Sequence, residues 1–241
     1  MHKFLLIVVC LLYVRVDAQH NSLPYEHTKL IRLESFSPEI SEALEPYEVT
    51  YLSCRSHSSF PELIVKDEVL NWLNLNQIPY RLLEKDLKRK IDREHQHMLE
   101  IGKQRDGASW YHTYRTYEEV QDKLSEIALE SSIATLIDLG LSYENRALTG
   151  IKLSTGGTDK PAIFINGCQH AREWITVMAS TFLVDHLVHN YNTDLFIQNL
   201  LAHVDVYIVP IVNPDGYVYT HTTDRYWRKN RQLNPASSCV G

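Results

Sequence analysis

The segment His170-Ala171-Arg172-Glu173-Trp174 holds residue types at a spacing suited to binding a metal ion. Imidazole nitrogen and carboxylate oxygen are common zinc ligands, at about 2.0 to 2.2 Å from the ion. His170 and Glu173 are three residues apart, where an apolar run gives way to a predicted helix, so both side chains can reach one cation. The bare spacing is common in proteins, and alone it is usually a surface histidine beside a helix-capping glutamate.

A cluster of arginines follows in the segment Arg225-Tyr226-Trp227-Arg228-Lys229-Asn230-Arg231. Beside a zinc site, arginines can bind a substrate carboxylate through paired hydrogen bonds. They can also stabilise the oxyanion that forms when water attacks a carbonyl group. Without the zinc motif, the same segment would be interpreted as a solvated basic loop. The position of His170 after a predicted strand favours a site, because α/β sheets bind ligands at strand ends.

Strands and helices alternate in the half of the chain that carries these residues. This order predicts an α/β sheet covered on both faces. Thr116 and Glu119 have the spacing of a capping box at a helix start. Asn-Pro-Asp-Gly at 213–216 predicts a turn. Strands are predicted at 135–139, 150–153, 162–166 and 204–212, and helices at 173–191 and 194–201, with Ile175, Met178, Phe182, Leu183 and Val188 on the buried side of the longer helix.

The preceding half has a different pattern. Short apolar runs and helical periods alternate in the order β-α-β-β-α-β, which can form an antiparallel sheet with both helices on one face. We therefore expect a small ferredoxin-like α+β module over residues 19–105, before a larger α/β domain over 106–241. Between them, residues 84–105 predict a charged helix ending in an exposed, basic-flanked stretch near Arg105. Such a stretch is an accessible protease target, and an uncleaved interdomain linker fits equally well.

The N-terminus has the pattern of a secretory signal peptide. Lys3 precedes an apolar run at 4–13, and small or compact residues at 16 and 18 place the cleavage after Ala18. A membrane anchor is the alternative, but the run is shorter than the about 20 residues that a membrane helix needs. We expect a secreted, extracellular protein whose residues 1–18 are removed and which has no membrane partner.

Composition and charge restrict the remaining classes of function. The 241 residues are 44% hydrophobic and carry a formal net charge of -6, with no basic stripe interleaved with aromatics. Nucleic acid is therefore not an expected partner.

Of the four cysteines, Cys10 lies in the predicted signal peptide. Cys54, Cys168 and Cys239 remain, an odd number that indicates an unpaired thiol or an absent partner in an oxidising compartment.

Several segments together resemble the digestive-type zinc carboxypeptidases of the A/B type. They are His-Ala-Arg-Glu-Trp at 170–174, Asn-Pro-Asp-Gly-Tyr at 213–217 followed by Thr-His, Trp-Arg-Lys-Asn-Arg at 227–231, Leu-Ser-Thr-Gly-Gly at 153–157 and Ser-Tyr-Glu-Asn-Arg at 142–146. Their order and spacing are those of the family. The leading module is similar to the family's activation segment, so the resemblance covers nearly the whole chain. It implies a carboxypeptidase-like α/β catalytic domain with a mixed sheet, preceded by the small α+β prosegment.

The resemblance implies a role for each matching position. His170 and Glu173 match two ligands of a single Zn²⁺ ion. Arg228 matches the catalytic arginine that polarises the scissile carbonyl and stabilises the oxyanion. Arg172 and Arg225 match residues that contact the substrate. The implied protein is a monomeric zymogen that removes C-terminal residues from peptides and proteins, once a trypsin-like protease cleaves it near Arg105.

Two departures from the family pattern stand out. Asn145 occupies a turn position usually held by glycine, and asparagine tolerates the left-handed conformation there. The family's third zinc ligand, its Asn-Arg carboxylate clamp, its closing tyrosine and its general base have no counterpart in the 241 residues. His221 is the one remaining histidine expected near the site, and we assign structural or surface roles to it and to His186, His189 and His203.

These gaps predict that the catalytic domain is incomplete. With two zinc ligands and no general base, the 241-residue polypeptide is expected to lack peptidase activity. The alternative is a non-catalytic secreted protein whose prosegment binds or inhibits related carboxypeptidases. The preference for apolar or basic C-terminal residues lies outside what these residues indicate.

Overall fold

A computed structural model describes residues 25–53, 59–101 and 107–233, which form two sheets with their own helices. The predicted signal peptide, Cys54, Cys239 and the cleavage region near Arg105 lie outside the described residues. Within the described part, no helix has the length and apolar character needed to cross a membrane.

The N-terminal module has the predicted β-α-β-β-α-β order. Its strands pair antiparallel in the spatial order β2-β3-β1-β4. Ser37 begins the first helix by accepting a hydrogen bond from the Ile40 N–H at 3.4 Å, and Pro38 occupies the first turn. The elements are β1 (Lys29–Leu33), α1 (Pro38–Ala43), β2 (Thr50–Tyr51), β3 (Glu62–Val65), α2 (Asp67–Leu75) and β4 (Tyr80–Glu84).

The two faces of this sheet pack against different partners. Alternation along β1 sends Ile31 and Leu33 toward α1 and α2, and sends Leu30 to the opposite face. Both helices therefore lie on one face, as predicted. On the other face, Leu30 joins a second apolar cluster that includes Ile91 and Tyr226. That cluster attaches the module to the second half of the chain.

The charged segment after β4 forms the helix α3 (Leu87–Ile101). Its buried residues, Leu87 and Ile91, recur at helical spacing and face the cluster with Tyr226. The helix is therefore amphipathic and packed on one side, rather than solvated all round. A short 3-10 helix at Gly107–His112 follows.

The second half forms a four-stranded mixed sheet. The spatial order is β5-β6-β8-β7, with β7 and β8 parallel and the other pairs antiparallel. The capping box predicted at Thr116 and Glu119 is present at the start of α4. The elements are α4 (Tyr117–Glu130), β5 (Ala134–Leu141), β6 (Ala147–Leu153), β7 (Ala162–Asn166), α5 (Trp174–Asn190), α6 (Leu195–His203), β8 (Asp205–Val209) and α7 (Pro214–Thr222).

The buried side of α5 differs from the prediction at two of the five residues assigned to it, while Met178 and the other two are buried or packed against the core. Ile175 and Phe182 are 63% and 51% exposed, whereas Val177 and Val184 are fully buried. The helix is apolar around most of its circumference, so spacing alone could not select the face that packs on the sheet. The observed core joins α4, α5 and α6 to one face of the sheet.

The expectation that both faces of the sheet are covered is wrong for β7 in the described part of the chain. Ile163 and Phe164 are 42% and 62% exposed. In contrast, the central strand β8 is largely buried, as its apolar run predicted.

The Asn-Pro-Asp-Gly segment at 213–216 is a helix start rather than a turn. Asn213 is the N-cap of α7, and its side-chain oxygen accepts a hydrogen bond from the Gly216 N–H at 3.0 Å. Pro214 and Asp215 then occupy the first helical turn, where both residue types are favoured. The same four residues suit a turn or a cap, which explains the wrong prediction.

Candidate functional site

The loop between β7 and α5 carries the metal-binding motif. A Cβ on Gly167 would lie 2.5 Å from the carbonyl oxygen of Pro210, so this position needs glycine. Cys168 has a φ of 53°, a left-handed conformation that non-glycine residues seldom adopt. Its N–H donates to Oγ1 of Thr176 at 2.8 Å, which helps to hold the turn. The thiol is buried, and burial together with the charge of Glu173 raises the pKa of Cys168 to about 12.

The two predicted zinc ligands meet at the end of this loop. Nδ1 of His170 lies 2.8 Å from Oε1 of Glu173, and the two side chains are 34% and 44% exposed. Glu173 is the N-cap residue of α5, one position earlier than the helical turn expected from the pattern. The two atoms are of the kinds that bind zinc and converge in an accessible place, so they fit two ligand positions.

A third protein ligand is not found among the described residues. No group of three His, Cys, Asp or Glu side chains there could hold a metal ion. His221 is close to the site but stacks on Trp174, with ring centroids 3.9 Å apart. Burial and the nearby charges of Arg225 and His95 lower the pKa of His221 to about 3. This packed, neutral ring supports the structural role predicted for it.

Arg228 lies directly beside the metal-binding loop. Its carbonyl oxygen accepts a hydrogen bond from the Ala171 N–H at 3.0 Å. Within the described part of the chain, its guanidinium group has no hydrogen-bond or ion-pair partner. The same side chain lines two cavities, of about 740 and 560 Å³. His170 lines the second of them, so a molecule there could contact both residues.

Arg172 and Arg225 lie in the same region, but the N-terminal module and α3 occupy their guanidinium groups. Arg172 donates to the carbonyl oxygen of Leu52, and burial together with the charge of Arg228 lowers the pKa of Arg172. Arg225 donates to Glu94 of α3 at 2.7 and 3.4 Å. The Arg225 guanidinium also lies 3.6 Å from the Trp174 ring centroid.

The five side chains predicted from the sequence lie in one region of the structure, whereas the residues that hold them were not predicted. The Glu94 contact joins residues 131 positions apart, for which no local pattern exists. Asp215 is also buried, and it binds the hydroxyl group of Ser142 at 2.6 Å and the guanidinium of Arg146 at 2.8 Å. Because an aspartate is ordinary in a first helical turn, no local signal identified the buried contacts of this residue.

Comparisons with known proteins identify the family of the chain. A model of the zinc carboxypeptidase family matches residues 85–241. Carboxypeptidase A2 of Rattus norvegicus is 36% identical over 172 residues, which cover 70% of this chain and 41% of the relative. Carboxypeptidase B of Astacus astacus is 44% identical over 131 residues, which cover 54% of this chain and 42% of the relative. The chain therefore spans less than half the length of these relatives.

Solved structures show the same fold. Carboxypeptidase A from Helicoverpa armigera superposes with a TM-score of 0.75 at 25% identity, covering 91% of this chain and 57% of that protein. Thrombin-activatable fibrinolysis inhibitor superposes with a TM-score of 0.74 at 26% identity, covering 89% and 57%. The predicted carboxypeptidase-like α/β fold with a mixed sheet is confirmed over this part of the family. With the match over residues 85–241, the chain belongs to the zinc carboxypeptidase family of metal-dependent hydrolases.

Proposed function

We propose that this chain carries one side of a zinc carboxypeptidase active site, within a secreted protein that hydrolyses the last peptide bond of peptides and proteins. The observation that carries the proposal is the 2.8 Å approach of His170 Nδ1 to Glu173 Oε1, in a cavity shared with Arg228, whose guanidinium has no partner among the described residues. A zinc ion bound there would polarise a peptide carbonyl and lower the pKa of bound water.

Each side chain has a distinct part in this proposal. The His170 imidazole and the Glu173 carboxylate would hold the ion, and the Arg228 guanidinium would donate hydrogen bonds to the carbonyl oxygen as negative charge develops on it. Arg172 and Arg225 supply positive charge for a peptide that ends in a free carboxylate. Selection of a chain end requires such a fixed cation, because an internal peptide bond offers no carboxylate.

We further propose that residues 19–105 are an inhibitory prosegment. The contacts of Arg172 with Leu52 and of Arg225 with Glu94 support this, since they use the two arginines that a substrate would need. The Glu94 carboxylate contacts Arg225 as a peptide carboxylate would. Cleavage near Arg105 would release these groups and open the cleft.

The 241-residue polypeptide itself is proposed to be inactive, because two ligands hold zinc weakly and no general base is assigned. The direct test is to incubate it with trypsin and zinc, and then with an N-acyl dipeptide that has a free carboxylate. We expect no hydrolysis by mass spectrometry. Tight one-to-one zinc binding together with hydrolysis would contradict the proposed inactivity.

Sequencing the transcript beyond the codon for Gly241 tests the enzymatic assignment. We expect the reading frame to continue into a histidine, an Asn-Arg pair, a tyrosine and a glutamate. A stop codon there would instead favour a secreted module that inhibits related carboxypeptidases. Titration of the purified chain against an active carboxypeptidase then decides that alternative, because an unchanged rate of hydrolysis would eliminate it.

A further inference from the structure

Three backbone segments of the active-site region meet at the side chain of Asn213, which is only 7% exposed. Asn213 follows β8 and precedes α7. Its Nδ2 group donates to the carbonyl oxygen of Gln169 at 3.4 Å and to that of Lys229 at 3.1 Å. Gln169 precedes His170, and Lys229 follows Arg228.

Both hydrogens of the Asn213 side-chain amide are used in hydrogen bonds. Its two N–H groups donate to the two carbonyls, and its oxygen accepts the Gly216 N–H at 3.0 Å. An asparagine side chain offers two donors on one atom and an acceptor on the other. A carboxylate of the same shape could cap the helix but could not donate to either loop. The contacts therefore require an amide at this position.

Gly216 provides a second, independent observation of the same junction. A Cβ at this position would lie 2.6 Å from the carbonyl oxygen of Lys229 and 2.7 Å from both terminal atoms of the Asn213 side chain. Real Cβ atoms do not approach other atoms so closely, so a larger residue must displace the arginine loop or the amide. The absence of a side chain at Gly216 therefore allows the Arg228 loop to contact Asn213.

We propose that Asn213 is a positioning residue that sets the distance between the metal-binding loop and the Arg228 loop. This inference rests on the proposed function, because it assigns Asn213 to the reaction of His170, Glu173 and Arg228. Asn213 acts through the backbone of the adjacent residues and touches neither metal nor substrate. In the described part, further hydrogen bonds join the two loops directly: the Ala171 N–H donates to the Arg228 carbonyl, Arg172 donates to the Tyr226 carbonyl at 3.4 Å, and Arg225 donates to the Arg172 carbonyl at 3.1 Å.

Such a junction matters because the two loops act on one carbonyl group. The metal ligands define where the carbonyl oxygen is held, and Arg228 must meet that oxygen at hydrogen-bond distance. A misplacement of about 1 Å in an active site can reduce the rate by about 100-fold. Asn213 follows β8 and bonds to both loops. Its position on the sheet therefore fixes the distance between the metal-binding loop and the Arg228 loop.

The test variant is Asn213→Asp, which keeps the acceptor for the Gly216 N–H and removes both donated hydrogen bonds. The matched control is Asp194→Asn, the reverse exchange at the N-cap of α6, where Asp194 accepts from Phe196 N–H at 2.8 Å. The readout is amide hydrogen exchange of Ala171 by NMR, without added metal. Exchange of α4 amides serves as the internal reference for global stability.

We expect the Ala171 amide to exchange about tenfold faster in Asn213→Asp, relative to α4, because both hydrogen bonds by which Asn213 joins the loops are lost. The Asp194→Asn variant should leave Ala171 within about twofold of the parent chain. An Ala171 rate in Asn213→Asp that stays within twofold of the parent, or that rises only in step with α4, would overturn the proposal.

If Asn213→Asp does not fold, the variant Gly216→Ala provides the test. Gly216→Ala retains the amide but displaces its partners, so the same selective rise in the exchange rate of Ala171 is expected, and its absence would overturn the proposal.

Zinc affinity of the folded variants is measured in parallel, with about tenfold weaker binding expected from a displaced loop. If the parent chain binds no zinc, the proposed function fails, while the exchange data still decide whether Asn213 joins the loops.

Discussion

Arg172 and Arg228 line one cavity and Arg225 lines another, and the three differ in what surrounds each guanidinium group. Arg172 and Arg225 are bound by groups from the N-terminal half of the chain, whereas Arg228 has no such partner among the described residues. A free guanidinium close to the metal-binding pair is ready to meet a developing charge. Under the proposed function, the contacts of these two arginines would keep the site from accepting a peptide carboxylate.

Asp215 gives a pH-dependent prediction at a single residue. Burial alone would raise its pKa, but hydrogen bonds from the Ser142 hydroxyl, the Glu144 N–H and the Arg146 guanidinium together lower the pKa of Asp215. A lowered pKa in the folded state means that the unfolded chain binds the proton more readily. The stabilisation is therefore present above the unfolded pKa and is lost as the pH falls through the folded pKa.

The corresponding test is Asp215→Asn, measured by urea unfolding between pH 7 and pH 3. We expect a loss of about 1 to 3 kcal/mol in the free energy of unfolding at pH 7. The difference from the parent chain should shrink as the pH falls below about 4. Asp138→Asn, at an exposed position in β5, is the control and should cost little at any pH. An Asp215→Asn penalty equal at both pH values would show that its charge does not stabilise the fold.

The helices and strands differ in how much of them could be predicted from local pattern. The strand β7 and the antiparallel module were predictable because apolar runs and turns recur at regular spacing. The start of α7 was not, since Asn-Pro-Asp-Gly suits both a turn and a helix cap. The packed side of α5 was not predictable either, because Ile175 and Val177 are equally apolar in sequence and differ only in where the sheet lies.

The candidate site also has features that local sequence predicts and features that it does not. His170 and Glu173 were predictable because they are close in sequence and lie after a strand. The contacts of Arg225 with Glu94 and of Asn213 with Lys229 join distant segments, and only the fold brings them together. Local spacing identifies candidate metal ligands and substrate-binding side chains, whereas the position of these side chains depends on tertiary packing.

The helix α3 supplies a prediction about how the N-terminal half is held. Replacing Glu94 with glutamine removes its charge and leaves Arg225 without an ionic partner. The ion pair is partly exposed, at 13% and 34% for the two side chains, so it contributes modestly. We expect amides of α3 to exchange about fivefold faster in Glu94→Gln, corresponding to about 1 kcal/mol.

Mass spectrometry of exchanged peptides covering Leu87–Ile101 measures this effect. Glu100→Gln is the matched control, because Glu100 lies on the same helix at an exposed position. The control should leave exchange unchanged. Equal exchange in Glu94→Gln and the parent chain would mean that the apolar cluster alone holds α3, and it would weaken the proposed inhibitory role of Glu94.

The molecule as a whole presents an exposed apolar strand. In the described part of the chain, β7 pairs only with β8, and its residues Ile163 and Phe164 are 42% and 62% exposed. Unpaired strands with apolar side chains tend to pair with other chains. We therefore expect the purified polypeptide to self-associate as its concentration rises.

Phe164→Lys should reduce this self-association, because a charge on an exposed strand opposes pairing with another chain. Sedimentation velocity over a range of concentrations measures the effect. Leu129→Lys is the control, since Leu129 is 88% exposed but lies on the helix α4. If both substitutions reduce association equally, general apolar exposure is responsible and the strand edge has no special part.

Zinc titration of the 241-residue chain is the most direct test of the account, since every proposed role depends on His170 and Glu173 sharing one ion. Calorimetry should show one zinc ion per chain, bound at least about tenfold more weakly in His170→Ala and in Glu173→Gln. His203→Ala, at an exposed position on α6, should bind zinc as the parent does. If neither site substitution changes the affinity or the number of ions bound, the two residues are not zinc ligands and the carboxypeptidase site is not where we place it.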